Sequence, residues 1–150
     1  MPACWLTYKL QFLGRLTNAV TEADVIDGAD PAAGAAALHE FERLAESWQL
    51  TLPEKLNLLN VNRATWYQWQ QGRAVVLDPP LRLRLSYLFG IDAALQTLLP
   101  VPGRAHEWLR KPNRAPLFAG GTALARMLSG EVEDLKHVIV YLGAELHGKV

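Results

Sequence analysis

Arginine, glutamine and tyrosine side chains cluster between Asn62 and Gly72 and just beyond. Arginine suits guanine and glutamine suits adenine in the major groove of DNA, because their paired hydrogen-bonding groups match the edges of those bases. Threonine and a terminal arginine are suited to holding backbone phosphates. The residues predicted to contact DNA are Arg63, Thr65, Tyr67, Gln68, Gln71 and Arg73. The alternative interpretation is a solvated polar face on a helix pair that serves only dimer packing.

A second group of polar and aromatic residues lies in the last third of the chain. An exposed arginine-rich loop beside a tryptophan is a typical anchor of a protein interface, and a chain end can plug the mouth of a partner's active site. The residues predicted to bind a protein partner are Trp108, Arg110, Lys111, Asn113, Arg114, Glu145, His147 and Lys149. The alternative here is a solvated loop and a frayed chain end.

No group of side chains in the sequence has the spacing of a catalytic site. His106-Glu107 lacks the second histidine, four residues on, that a zinc-binding helix requires. Ser129 lacks the flanking pattern of a nucleophile elbow. Gly120-Gly121 is a two-glycine turn rather than a phosphate-binding loop. We therefore expect a protein that is not an enzyme and that has no metal and no cofactor.

The charge balance limits how this chain can bind nucleic acid. Its 150 residues carry 15 Lys+Arg and 15 Asp+Glu, which cancel. Indiscriminate binding to the phosphate backbone usually requires a basic excess. DNA binding therefore has to rest on a few placed groups, doubled by dimerisation.

The apolar segments of the chain are short. None approaches the length of a membrane span, and Lys9 and Arg15 interrupt the apolar N-terminal run, unlike a secretory signal peptide. Cys4 is the single cysteine, which excludes a disulfide framework. We expect a cytoplasmic protein that does not associate with membranes.

Short-range signals predict a helix, a second helix, a tight turn and a third helix. The apolar residues of the first helix recur at a spacing of three and four: Leu38, Phe41, Leu44, Ala45 and Trp48. Residues 51–54, Thr-Leu-Pro-Glu, have capping-box spacing with proline in the first turn of the second helix. Asn60 is suited to a left-handed turn, and Asn62 is a cap for the third helix, which Gly72 ends. This order is typical of a helix-turn-helix motif.

The third helix has two tryptophans three residues apart, Trp66 and Trp69, which therefore face the core together. Further helices are predicted after Pro79-Pro80 through Ile91, and from Ile91 to Leu99. The rest of the chain is predicted to contain a Trp108-Leu109 turn, a loop, and two more helices, the last one after Ser129-Gly130. No alternating strand pattern of convincing length occurs, so the predicted fold class is all-α.

Two stretches of the sequence resemble a known family. The run from HEFERLAESWQLT through NVNRATWYQWQQG resembles the Xre-like helix-turn-helix half of the MbcA/ParS/Xre antitoxins. The run WLRKPNRAPLFAGGTALARMLSGEVEDLKHVIVYL is similar to that family's toxin-binding C-terminal half. The resemblance covers residues 38–146. Each short motif is weak alone, and their order and spacing are specific together.

The resemblance implies more than the residues show. Members of this family are usually paired with a RES-domain toxin, an enzyme that degrades NAD⁺, and neutralise it by direct binding. They form dimers and commonly repress their own operon. The resemblance therefore implies that the predicted protein-binding residues contact a RES-domain toxin, and that operator DNA and a second copy of the chain are further partners.

These observations predict three parts in the chain. Residues 1–34 form an N-terminal segment and linker, residues 35–90 an Xre-like helix-turn-helix domain, and residues 91–150 a small helical toxin-binding domain. The expected function is that of an antitoxin in a type II toxin–antitoxin system. The alternative is a stand-alone helix-turn-helix transcription regulator whose C-terminal half serves dimerisation or an unrelated partner.

Overall fold

The computed structural model describes residues 31–148. Most of the predicted N-terminal segment, through residue 30, therefore lies outside the described residues. Between residues 31 and 148 the chain is about 69% helical and contains no strand, which confirms the all-α prediction. The seven helices described are α1 (Pro31–Ser47), α2 (Leu52–Leu59), α3 (Arg63–Gln70), α4 (Pro79–Leu98), α5 (Arg104–Arg110), α6 (Ala123–Met127) and α7 (Val132–Gly148).

Helix α1 places the predicted apolar face in the core. Phe41, Leu44 and Trp48 are fully buried, and the edge of the Phe41 ring packs against Trp66 of α3 at a centroid distance of 6.4 Å. The chain is already helical at Pro31, so the last residues of the predicted linker belong to this helix.

Gly34 of α1 has a packing role that the linker interpretation missed. It is buried, and a Cβ atom at this position would overlap the carbonyl oxygen of Val75. The absence of a side chain allows the backbone of α1 to approach the segment between α3 and α4.

Helix α4 differs from the prediction of two helices meeting at Ile91. It is one helix of 20 residues, begun by the predicted Pro79-Pro80 pair, with Asp78 as its cap. The side-chain carboxylate of Asp78 accepts a hydrogen bond from the backbone N–H of Leu81 at 2.9 Å. Every residue from Arg84 to Leu95 is buried, so α4 is the central helix of the core and α7 packs along it.

The C-terminal half corrects one further detail of the prediction. The expected Trp108-Leu109 turn is a seven-residue helix, α5, preceded by Gly103 in the left-handed region. The last helix follows Ser129-Gly130 as predicted and buries Leu135, Val138 and Ile139 against the core.

Polar contacts join the two halves of the molecule. Arg84 of α4 is 7% exposed. Its guanidinium donates to the carbonyl oxygen of Leu58, at the end of α2, at 3.4 Å and to that of Gly130, before α7, at 2.6 Å. The side-chain amide of Asn57 donates to the carbonyl oxygen of Leu128 at 3.1 Å. The end of α2 and the turn between α6 and α7 are thus held by the same side chains.

Candidate functional site

The predicted helix-turn-helix is formed by α2, α3 and the turn between them. The capping box at Thr51 is complete, with the Thr51 hydroxyl accepting from the Glu54 N–H and the Glu54 carboxylate accepting from the Thr51 N–H. Asn60 is left-handed, at φ 54° and ψ 47°. The side chain of Asn62 accepts a hydrogen bond from the Thr65 N–H at 2.8 Å. These local signals were predicted and are confirmed.

The residues predicted to contact DNA lie on the outer side of α3 and just after it. Tyr67 is 63% exposed. Arg63, Gln68, Gln71 and Arg73 are exposed as well, and Thr65 is half-buried. Trp66 faces inward and Trp69 is half-buried, with their rings 6.2 Å apart. In the described part of the chain, Arg63 and Arg73 form no ion pair, so both guanidinium groups are available to a ligand.

A cleft of about 570 Å³ lies between the turn, α3 and the start of α4. Its wall brings together two of the predicted residues, Thr65 and Gln68, with Asn60 and Asn62 of the turn. Amides and a hydroxyl therefore line this side of α3, and the charged side chains of Asp78 and Arg84 line the same cleft. We name the six predicted residues on and after α3 the helix-turn-helix face.

Trp108 belongs to a row of aromatic rings in the C-terminal half. Its ring meets the edge of Phe118 at a centroid distance of 5.9 Å, and Phe118 meets the edge of Tyr141 at 5.2 Å. Phe118 is buried, whereas Trp108 and Tyr141 are half-buried. The row fixes the loop after α5 against α7 and leaves part of two rings facing solvent.

Arg110 is committed to an intramolecular contact. Its guanidinium reaches Glu54 of the helix-turn-helix half at 3.0 Å and donates to the carbonyl oxygen of Gln49 at 3.0 Å. Burial raises the pKa of the Glu54 carboxyl, but hydrogen bonds from Arg110 and from the Thr51 backbone outweigh it, and the net pKa lies below its usual value. Arg110 therefore ties α5 to the start of α2.

The loop of residues 111–122 is closed by backbone pairing. The Asn113 N–H donates to the Gly121 carbonyl oxygen, and the Gly120 N–H donates to the Asn113 carbonyl oxygen, both at 2.9 Å. The Asn113 side chain also accepts from the Ala115 N–H. Lys111 and Arg114 are exposed, so the loop presents two cations, and Asn113 holds its shape.

The other candidates lie at the end of α7. Glu145 and His147 are exposed on its last two turns, and Lys149 lies outside the described residues. The predicted group of partner-binding residues therefore contains two kinds of side chain. Lys111 and Arg114 face solvent, whereas Arg110 and Asn113 make contacts that stabilise the fold.

The structure also shows an apolar groove that the sequence interpretation missed. It has a volume of about 190 Å³ and lies between the end of α4, α5 and α7. The residues lining it are Leu95, Leu98, Leu99, Trp108, Tyr141, Leu142 and Glu145. The leucines read as ordinary core positions in the sequence. The sequence signal that points to this groove is the number of apolar residues at the end of α4. It exceeds the number that one face of a helix can bury.

His106 and Ser129 both make intramolecular polar contacts. The His106 Nδ1 atom lies 3.0 Å from the carbonyl oxygen of Trp48. The Ser129 hydroxyl donates to Asp134 at the start of α7, a contact that lowers the pKa of the Asp134 carboxyl together with the nearby Arg126 and His137. No group of three or more potential metal ligands occurs within residues 31–148.

None of the helices in the described part of the chain is both long enough and apolar enough to span a membrane.

Comparison with known proteins identifies the family. Residues 94–148 match the family model of the antitoxin Xre/MbcA/ParS C-terminal toxin-binding domain. The chain is also 34% identical over 120 residues to the uncharacterized protein y4oB of Sinorhizobium fredii, an alignment that covers 79% of this chain and 91% of the relative. The chain therefore belongs to the MbcA/ParS/Xre antitoxin family, and its C-terminal part is a toxin-binding domain.

Proposed function

We propose that this chain is the antitoxin of a type II toxin–antitoxin pair that neutralises a RES-domain, NAD⁺-degrading toxin in the cytoplasm and represses its own operon as a homodimer. The match of residues 94–148 to a toxin-binding domain carries the proposal. The RES assignment rests on the motifs WL, PN, GG and SG between Trp108 and Gly130. The proposed parts are the helix-turn-helix domain of residues 35–90 and the toxin-binding domain of residues 91–150.

The proposed toxin contacts are the solvent-facing groups of the C-terminal half. Lys111 and Arg114 project from a loop held by backbone pairing, and Glu145 and His147 lie on the exposed end of α7. A preformed loop loses little conformational freedom on binding, so more of its contact energy appears as affinity. Trp108 supplies an aromatic surface of the kind that dominates protein interfaces.

Co-expression with the product of the adjacent gene tests the toxin role. We expect that product to arrest growth alone and growth to resume when this chain is expressed with it. A chain carrying Lys111→Glu and Arg114→Glu, two exposed charge reversals, is expected to relieve the arrest less well. An adjacent product that is not toxic, or whose toxicity this chain leaves unchanged, contradicts the proposal and favours the stand-alone regulator.

DNA binding is proposed for the helix-turn-helix face. The exposed side chains of Arg63 and Gln68 on α3 support it, as do the guanidinium groups of Arg63 and Arg73, which form no ion pair within residues 31–148. Because the chain has no net charge, affinity has to come from a few contacts repeated by two copies on a two-fold operator.

A gel-shift series on the promoter fragment tests this face. Arg63→Ala and Gln68→Ala are each expected to weaken operator binding about tenfold, the effect of losing one base or phosphate contact. Arg114→Ala, an exposed arginine on the opposite half of the chain, is the matched control and is expected to bind like the wild type. Unchanged operator affinity in both α3 variants contradicts the assignment.

A further inference from the structure

The groove between α4, α5 and α7 has an apolar floor and a charged residue, Glu145, among those that line it. Leu95 and Leu142 at the floor are fully buried or nearly so, at 0% and 2% exposure. Leu98, Leu99, Trp108 and Tyr141 are half-buried. The space of about 190 Å³ is that of one large side chain, because a 150 Å³ apolar cavity already holds a benzene molecule.

The walls of the groove are preorganised. The Trp108 ring is fixed by the edge of Phe118, and Phe118 is fixed by Tyr141. Aromatic side chains held in this way lose little freedom when a partner docks, and tryptophan and tyrosine are the residues that most often dominate binding energy. Val101, in the segment just after α4, does not line the groove but is an exposed apolar side chain two residues from Leu99, at 59% exposure.

The carboxylate at the rim of the groove favours a partner with a positive charge. Glu145 is exposed, and in the described part of the chain it forms no ion pair. A carboxylate beside an apolar recess favours a ligand that presents an apolar side chain next to a lysine or arginine. All seven residues that line the groove fall within residues 94–148, the part that matches a toxin-binding domain.

We propose that this groove is the anchor site for the toxin and receives one large apolar side chain of the toxin flanked by a basic residue, which pairs with Glu145. The inference rests on the proposed antitoxin function and adds the contact surface. It places the strongest contact in the recess between α4 and α7 and gives the cationic loop of residues 111–122 a secondary role.

Affinity measurements with the full-length chain and the purified toxin encoded by the adjacent gene test the groove. Glu145→Lys is expected to weaken toxin binding about tenfold, because it sets a like charge opposite the basic residue. Glu46→Lys is the matched control, since Glu46 is also an exposed glutamate in the last turn of a helix and has no ion pair in the described chain. It is expected to bind the toxin like the wild type.

A second pair of variants probes the surface next to the groove, two residues from its lining residue Leu99, without disturbing the core. Val101→Asp is expected to weaken toxin binding several-fold. Val76→Asp, at a valine of similar exposure near the helix-turn-helix face (67%), is expected to have no effect on it. Circular dichroism verifies that all four variants are folded.

The outcomes are distinct. Wild-type affinity for the toxin in both Glu145→Lys and Val101→Asp overturns the groove as the anchor and leaves the antitoxin role in place. A change in self-association of these variants with unchanged toxin affinity assigns the groove to a dimer contact and also overturns the proposal. No binding of the toxin by the wild-type chain overturns the antitoxin role and the groove together.

Discussion

The helix-turn-helix half and the C-terminal half use their polar residues in different ways. On α3 the predicted ligand-binding groups, such as Arg63 and Gln68, face solvent, and local caps set the helix ends. In the C-terminal half, Arg110 ties α5 to α2 and Asn113 holds a loop in shape. Local signals are therefore sufficient to predict which side chains of α3 are exposed, whereas long-range contacts decide which polar side chains remain free in the C-terminal half.

The two halves also depend on each other. Helix α4 passes through the predicted boundary between residues 90 and 91 without a break and packs along α7. Arg84, Asn57 and Arg110 each bond across the junction. This arrangement predicts that the halves unfold together, as one cooperative unit.

The largest effect in this comparison is expected from the buried guanidinium at the junction. Arg84→Ala should lower the free energy of unfolding by about 3 kcal/mol, because the carbonyl oxygens of Leu58 and Gly130 lose the charged donor that bridges the two halves. Urea unfolding followed by circular dichroism measures it. Arg114→Ala, an exposed arginine, should change the same quantity by less than about 0.5 kcal/mol. Equal losses in the two variants would show that Arg84 does not hold the halves together.

Two helical glycines, one in each half, are expected to respond in opposite directions to the same substitution. Gly34→Ala should destabilise the fold by about 2 kcal/mol, since the new Cβ overlaps the Val75 carbonyl oxygen and α1 has to move. Gly143→Ala has open space around the new Cβ and should stabilise the fold by about 0.5 kcal/mol through the higher helix propensity of alanine. Thermal unfolding of both variants distinguishes the signs. A Gly34→Ala protein as stable as the wild type contradicts the close approach of α1.

The smallest effect is expected from the ion pair that ties α5 to α2. A double-mutant cycle on Arg110→Ala and Glu54→Ala should give a coupling free energy of about 1 kcal/mol at neutral pH. The folded-state pKa of Glu54 lies below its ordinary value of 4.5. The contribution is therefore present above that pH and lost as the pH falls through the folded-state pKa.

The exposed pair Arg104–Glu107 is the control for this cycle. Both side chains are 61% exposed and their charged atoms are 3.7 Å apart, so solvent screens them and the coupling should be close to zero. A coupling between Arg110 and Glu54 that is no larger than this control rules out a stabilising ion pair at the junction.

The sequence was sufficient to predict the helices whose ends are set by neighbouring residues. Thr51, Asn60 and Asn62 each act within five residues of their own position, and all three were predicted. Helix α4 was predicted as two pieces because it is buried all round from Arg84 to Leu95. Such a helix has no polar face, so hydrophobic periodicity carries no information about its length.

The sequence also predicted the exposed residues of α3 better than those of the C-terminal half, because local contacts can be inferred from spacing and long-range contacts cannot. Exposure on α3 follows from helix geometry around the buried Trp66. The partner of Arg110 is 56 residues away in the chain, and the groove forms only when the end of α4 meets α7. Neither is readable from spacing along the sequence.

The proposed neutralisation of a RES-domain toxin by this chain can be measured as inhibition of NAD⁺ loss. The purified product of the adjacent gene is incubated with NAD⁺ while this chain is titrated in. We expect NAD⁺ consumption to fall to zero at a fixed molar ratio, and a chain carrying Arg63→Ala and Gln68→Ala to inhibit equally well. A toxin that still consumes NAD⁺ at full rate in excess of this chain would contradict the claim.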